Sequence, residues 1–166
     1  LPLQRWFAAK DERISRVDLE PLAYLDGAGR YALAAMKVTV PSGTQRYLAP
    51  LSIRWGEEHV RPGAPKLSYT LAKVRSGPRV GALLDGTYDE ALAAELVALM
   101  KANEVRERNG HRVVFRGSQR LAEIEELADP RPLGVEQSNV SIVFGDQIIL
   151  KIYRRLREGE QPDVEI

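Results

Sequence analysis

The 166-residue chain is 44% apolar and 28% charged, an ordinary globular composition with room for one domain or two small subdomains sharing a sheet. It contains no cysteine, which excludes disulfides, thiolate catalysis and cysteine metal sites. A formal net charge of +1 gives no overall field to draw nucleic acid or an anionic membrane surface, so neither is expected as a partner.

No apolar run approaches the roughly 18 residues that a membrane span needs, and with the missing cysteines this suits the cytoplasm, the expected location. Beginning at Leu1 and stopping at Ile166, the chain reads as a piece of a longer protein. Residues 1–10 set Trp6 beside Phe7 in a turn of helix or an extended edge. Residues 14–25 carry β-type side chains and end at Asp26-Gly27-Ala28-Gly29, a turn by composition. The alanines of residues 31–40 equally fit a helix. A strand is favoured because Pro41-Ser42-Gly43 follows and the apolar pattern resumes over 45–55. These three runs predict an antiparallel meander. Trp6, Phe7, Tyr47 and Trp55 are expected to fill its core or its seam with the rest of the protein.

Residues 57–66 form a Pro- and Gly-containing loop, and 68–75 and 79–84 pair around Ser76-Gly77-Pro78. The clearest helix is 88–104. Thr87 with Glu90 makes a capping box, and Leu92, Leu96, Leu99 and Met100 form one apolar stripe. After Asn109-Gly110, residues 111–116 read as a strand and 118–128 as a shorter helix. Asp129-Pro130-Arg131-Pro132 closes that helix. His59 and His111 have no metal-ligand spacing around them and read as solvent-facing or structural. The chain divides near Asp85, into a sheet subdomain over 1–85 and a second subdomain over 86–166.

The tail carries three apolar runs, 132–137, 140–144 and 147–153, separated by Ser138-Asn139 and Gly145-Asp146. Gly-Asp between β-branched runs signals a two-residue hairpin. That turn sets Phe144 opposite Gln147, Ile142 opposite Ile149 and Val140 opposite Lys151. One face then carries Val140, Ile142, Ile149 and Lys151, the other Ser141, Val143, Ile148, Leu150 and Ile152. Both faces are apolar, so both should be covered. Lys151 needs a partner there, and Glu165 follows fourteen residues on, behind the helix start Pro162-Asp163. Strand, polar loop, strand, strand with lysine and helix with glutamate is the order of a kinase small lobe. Arg154, Arg155 and Arg157 read as a solvated basic turn, with contact to the missing lobe as the alternative.

The run EQSNVSIVFGDQIILKIYRRL followed by GEQPDVEI resembles the maltokinases, bacterial sugar kinases of eukaryotic-like bilobal fold found alone or fused to trehalose synthase. LPLQRWFAAK, RYLAPLSIRW and DGTYDEAL are similar to that family's N-terminal segments. The resemblance implies an α+β fold, with an antiparallel-sheet cap ahead of the strands of a kinase N-lobe. It implies a parent that transfers the γ-phosphate of ATP to maltose, giving maltose 1-phosphate, in trehalose-to-glycogen metabolism. Lys151 would hold phosphates and be held by Glu165, a lysine snorkelling from a sheet edge and an acid complementing a helix dipole being the alternatives. Gln137, Ser138, Asn139 and Ser141 would stand where a glycine-rich loop is absent, a plain polar hairpin tip being the alternative. Val140, Ile142 and Ile149 would roof the adenine, a generic core face being equally expected from the pattern. The C-lobe of the same chain would bring the catalytic base and the Mg²⁺ ligands, so these 166 residues alone are expected to be inactive. A trehalose synthase domain or subunit is a further expected partner. A non-catalytic cap or assembly module, and a kinase acting on another sugar or amino sugar, stay open as alternatives.

Overall fold

Three apolar-alternating runs pair into the expected meander. The computed structural model describes residues 6–135, 139–157 and 159. Strands β1 (Arg16–Tyr24), β2 (Tyr31–Val40) and β3 (Gly43–Trp55) follow one another. The alanine-rich run is a strand because it has a partner on each side, Met36 lying between Leu19 of β1 and Tyr47 of β3. Strands β4 (Thr70–Ser76) and β5 (Arg79–Asp85) form a hairpin on Gly77-Pro78, with Ser76 opposite Arg79. The sheet runs β1-β2-β3-β5-β4, antiparallel throughout.

Helix α1 (Glu90–Lys101) starts later than the capping-box reading places it. Thr87 is not its cap; it lies in a 3-10 turn, Gly86–Tyr88, whose own cap is Asp85. Asp89 caps α1, its carboxylate accepting from Ala91 N at 3.2 Å. Asn103, at φ 52°, stops the helix. Glu104 N donates to Leu99 O and Asn103 N to Met100 O, the bond pattern of a Schellman cap. Helix α2 (Gln119–Glu123) is shorter than expected, because Ile124 turns extended and gives its carbonyl to the Lys101 ammonium.

Strands β6 (Val105–Arg108) and β7 (His111–Val114) form a small hairpin on Asn109-Gly110, both at positive φ. The residues before Asn109, for which no element is expected from the sequence, thus form a strand. His111 Nε2 lies 2.9 Å from Glu20 Oε1, joining this hairpin to β1. That contact, followed by Lys37, holds the Glu20 carboxyl below the usual carboxylate range. Strands β8 (Pro130–Val135), β9 (Asn139–Phe144) and β10 (Ile148–Tyr153) make a third sheet, order β10-β9-β8, and β11 (Arg155–Leu156) returns to pair with β3.

The buried side of α1, with Leu92, Ala93, Leu96, Val97 and Leu99, shares one core with both larger sheets. Ala23, Leu25, Tyr31 and Leu33 come from the first sheet and its β1–β2 turn, and Val140, Ile142, Phe144, Leu150 and Ile152 from the hairpin. On the far side of the first sheet, Phe7, Ala9, Val38, Val40 and Tyr47 form a separate cluster with Trp6 against it. Phe7 and Tyr47 thus take the core places expected of them, whereas Trp55 stays partly exposed with Arg79 4.4 Å from its ring centre. Among the described residues no helix is long and apolar enough to cross a membrane.

Leu92 is fully buried in the shared core. Leu92→Ala should cost about 2–5 kcal/mol, read as a lower urea midpoint at unchanged slope in equilibrium unfolding.

Candidate functional site

The β9–β10 hairpin carries the lysine singled out from the sequence, in a register one residue from the expected one. Phe144 pairs with Ile148, Ile142 with Leu150, Ser141 with Lys151 and Val140 with Ile152. Gln147 belongs to the turn, its N–H donating to Phe144 O at 3.1 Å, and Gly145 takes φ 58°. The cause is burial. This register stacks Val140–Ile152, Ile142–Leu150 and Phe144–Ile148 on the core side, whereas the expected one would mix Lys151 into an apolar face.

The slip reassigns the faces. Val140 and Ile142, expected beside Lys151 as an adenine roof, point into the core that holds α1. Ile149 keeps the lysine's face and is 58% exposed. Ile148, Leu150 and Ile152 are parted from Ser141 and Val143, with which the sequence reading grouped them. Coverage on both sides is corrected for β10 alone, where Lys151 and Ile149 are open on the outer face. Asn139 and Ser141 share that face and are buried, and Asn139 Oδ1 and Ser141 Oγ have no hydrogen-bond partner among the described residues. Gln137, Ser138 and Glu165 lie outside the described residues, so the Lys151–Glu165 pair does too.

Three residues after Lys151 the chain enters a buried polar corner that the sequence reading missed. Arg154 was grouped with a solvated basic turn; it is 2% exposed. Its Nη2 donates to Asp85 Oδ1 at 2.7 Å, to Asp85 Oδ2 at 2.5 Å and to Thr87 Oγ1 at 2.6 Å. Its guanidinium sits 5.0 Å from the Trp6 ring centre, within cation–π range. The main chain is held as well, Leu48 N donating to Arg154 O at 2.6 Å. A charge this deep is tolerated only with a matched partner, and Asp85 is that partner. The signal was present as an acid ending the apolar strand Ala82-Leu83-Leu84, and an arginine ending another.

Asp89, four residues past Asp85, organises the adjoining half of the corner. It accepts from Ser52 Oγ, from Arg54 Nη2 at 2.5 Å and from Arg54 Nε at 3.1 Å, as well as from Ala91 N. Burial alone would push its carboxyl up. The Ser52 and Arg54 hydrogen bonds, with the Arg54 and Lys66 charges, hold it below the usual carboxylate range. Lys66 donates to Tyr88 O at 2.9 Å and pairs with Glu90. Gly86 is required between the two acids, since a Cβ there would lie 2.7 Å from Leu92 Cδ1. A cavity of about 410 Å³ borders this side, lined by Arg54, His59, Lys66 and Leu84 among others. Its two strongest cations are already paired with Asp89 and Glu90.

Residues 1–89 match the family model of the maltokinase N-terminal cap domain. The chain belongs to the maltokinase family. The match ends on Asp89, the residue that caps α1. The maltokinase cap therefore closes at its polar corner, and Arg154 reaches back into the cap from beyond the matched segment. A kinase parent follows from membership, and the cap accounts for the antiparallel sheet that dominates the fold.

The depressed Asp89 carboxyl has a pH consequence. Its folded value lies below its ordinary 3.8, so the stability it contributes is complete above 3.8 and is lost as pH falls through the folded value. Between pH 6 and pH 2.5 the wild type should lose more unfolding free energy than Asp89→Asn, which removes that titration. Denaturant melts of the two proteins across this range check it.

Proposed function

We propose that this chain is the cap and the first nucleotide-facing strands of a kinase that phosphorylates maltose at its anomeric hydroxyl, giving maltose 1-phosphate. The observation that carries the reading is a juxtaposition: a maltokinase cap that holds Arg154, three residues past the exposed, outward lysine of β10. Bound ATP with Mg²⁺ supplies the γ-phosphoryl group.

Lys151 fits the part of that task assigned to it. Its ammonium stands on an open face, free of the core, where it meets phosphate oxygens and offsets charge that builds on them during transfer. Ser141, directly opposite on β9, and Asn139, two residues away on the same face, set buried polar groups beneath the lysine. Ile149 adds apolar surface beside the lysine, suited to the flat face of a base. The catalytic base, the metal ligands and the sugar contacts belong to a C-lobe of the same protein, and Glu165 is the proposed partner of Lys151. Family membership supports the acceptor sugar, and a trehalose synthase domain or subunit as the source of maltose fits the same chemistry.

In the full-length kinase, Lys151→Met keeps the stem and removes the charge. It should lower kcat by about a hundredfold or more while the thermal midpoint stays near wild type, because the side chain is exposed. Coupled-assay kinetics with ATP and maltose measure it. Wild-type turnover would take Lys151 out of the site, and turnover with a different sugar in place of maltose would move the acceptor assignment.

A further inference from the structure

The strand that carries Lys151 is anchored on the cap immediately beyond it. After β10 the chain passes through Arg154 and becomes β11, where Arg155 pairs with Tyr47 and Leu156 with Arg46 of β3. Leu48 N closes on Arg154 O, and Asp85 with Thr87 closes on the Arg154 guanidinium. At about 3.3 Å per residue along a strand, Lys151 stands roughly 10 Å from this anchor.

Parity makes the anchor consequential. From Leu150 to Arg155 burial alternates: Leu150, Ile152 and Arg154 are buried, Lys151 and Arg155 exposed, and Tyr153 intermediate. Arg154 and Lys151 are an odd number of residues apart, so fixing Arg154 inward turns Lys151 outward. A slip of one residue in β10 would swing the ammonium into the core. Burial of Leu150 and Ile152 already favours this register, and Ile149 is the one apolar side chain of β10 that a slip would bring inward. A guanidinium that must meet one carboxylate and one hydroxyl does not tolerate the slip. As a source of stability a buried ion pair of this kind is no better than an apolar replacement, and fixing register is its best-attested use.

We propose that Asp85, Thr87 and Arg154 are positioning residues for the nucleotide, through which the cap sets the phase and height of the strand that presents Lys151. The proposal rests on the reading of Lys151 as a phosphate contact, and its test separates the two. ATP binding to the full-length kinase is measured by calorimetry for Asp85→Asn and Thr87→Val, each in the wild-type and the Lys151→Met backgrounds, with thermal unfolding of every variant. Thr87→Val keeps the ion pair and serves if Asp85→Asn does not fold. Ser52→Ala weakens the same corner through Asp89 without touching Arg154.

The expected result is about tenfold weaker ATP binding in the wild-type background, the coupling usual for neighbours in one network, and no further loss once Lys151 is Met. Ser52→Ala should lower the thermal midpoint and leave ATP affinity unchanged. Equal losses in both backgrounds, or unchanged affinity in the wild-type background, would overturn the positioning role. Wild-type ATP affinity and turnover for Lys151→Met alone would overturn the lysine reading beneath it.

Discussion

The pairing of Arg154 with Asp85 ties this molecule together. One partner ends a strand of the cap sheet, the other follows the last strand of the hairpin, and they stand 69 residues apart in the chain. Both charges are buried, so each depends on the other for its place in the interior. Around that contact the chain makes further connections between the two parts, among them the Leu48–Arg154 main-chain bond, the short β11 on β3, and the Trp6 ring against the guanidinium. Loss of either partner would strand a buried charge, at a cost of about 3–5 kcal/mol.

The corner also explains why the turn between β5 and α1 is written with two aspartates. Asp85 serves the 3-10 turn and Arg154; Asp89 serves α1, Ser52 and Arg54. Each carboxylate caps a helical start and neutralises a cation at once, so a single turn satisfies donors from four parts of the chain. Gly86 lets the turn pass close to Leu92. The helix so launched then fills the space between the first sheet and the hairpin. Local capping and long-range packing are thus set by the same five residues, Asp85 to Asp89.

For the proposed nucleotide face, the useful consequence is a division of labour across a thin hairpin. Its inner side is committed to the core, and its outer side shows a lysine, an isoleucine and two buried polar groups without partners among the described residues. A residue either holds the core or faces the ligand, and a strand allows no middle position. The maltokinase cap is more than a neighbour of this face, because its Asp85 and Thr87 hold the arginine that follows the lysine strand.

Sequence by itself determined β1 to β5, the main helix and the family, though not β6 or β11. Alternation marks β1 to β5, the leucine spacing marks α1, and Gly-Pro, Asn-Gly and Gly-Asp mark the turns; all are local signals that survive without knowledge of partners. The tail motif pointed to the maltokinases for the same reason. Lys151 was legible because a cation in an apolar strand is conspicuous. What only the tertiary structure decided was pairing. A two- or a three-residue turn fits Gly145-Asp146-Gln147 equally well until the α1 core selects which side of β9 is buried, and that choice moved Val140 and Ile142 inward. Thr87 satisfied a capping pattern, yet Asp85 and Arg154 claimed its hydroxyl and left the cap to Asp89. Arg154 looked like its charged neighbours because the acid it meets is 69 residues earlier in the chain, and no local pattern records a partner at that distance.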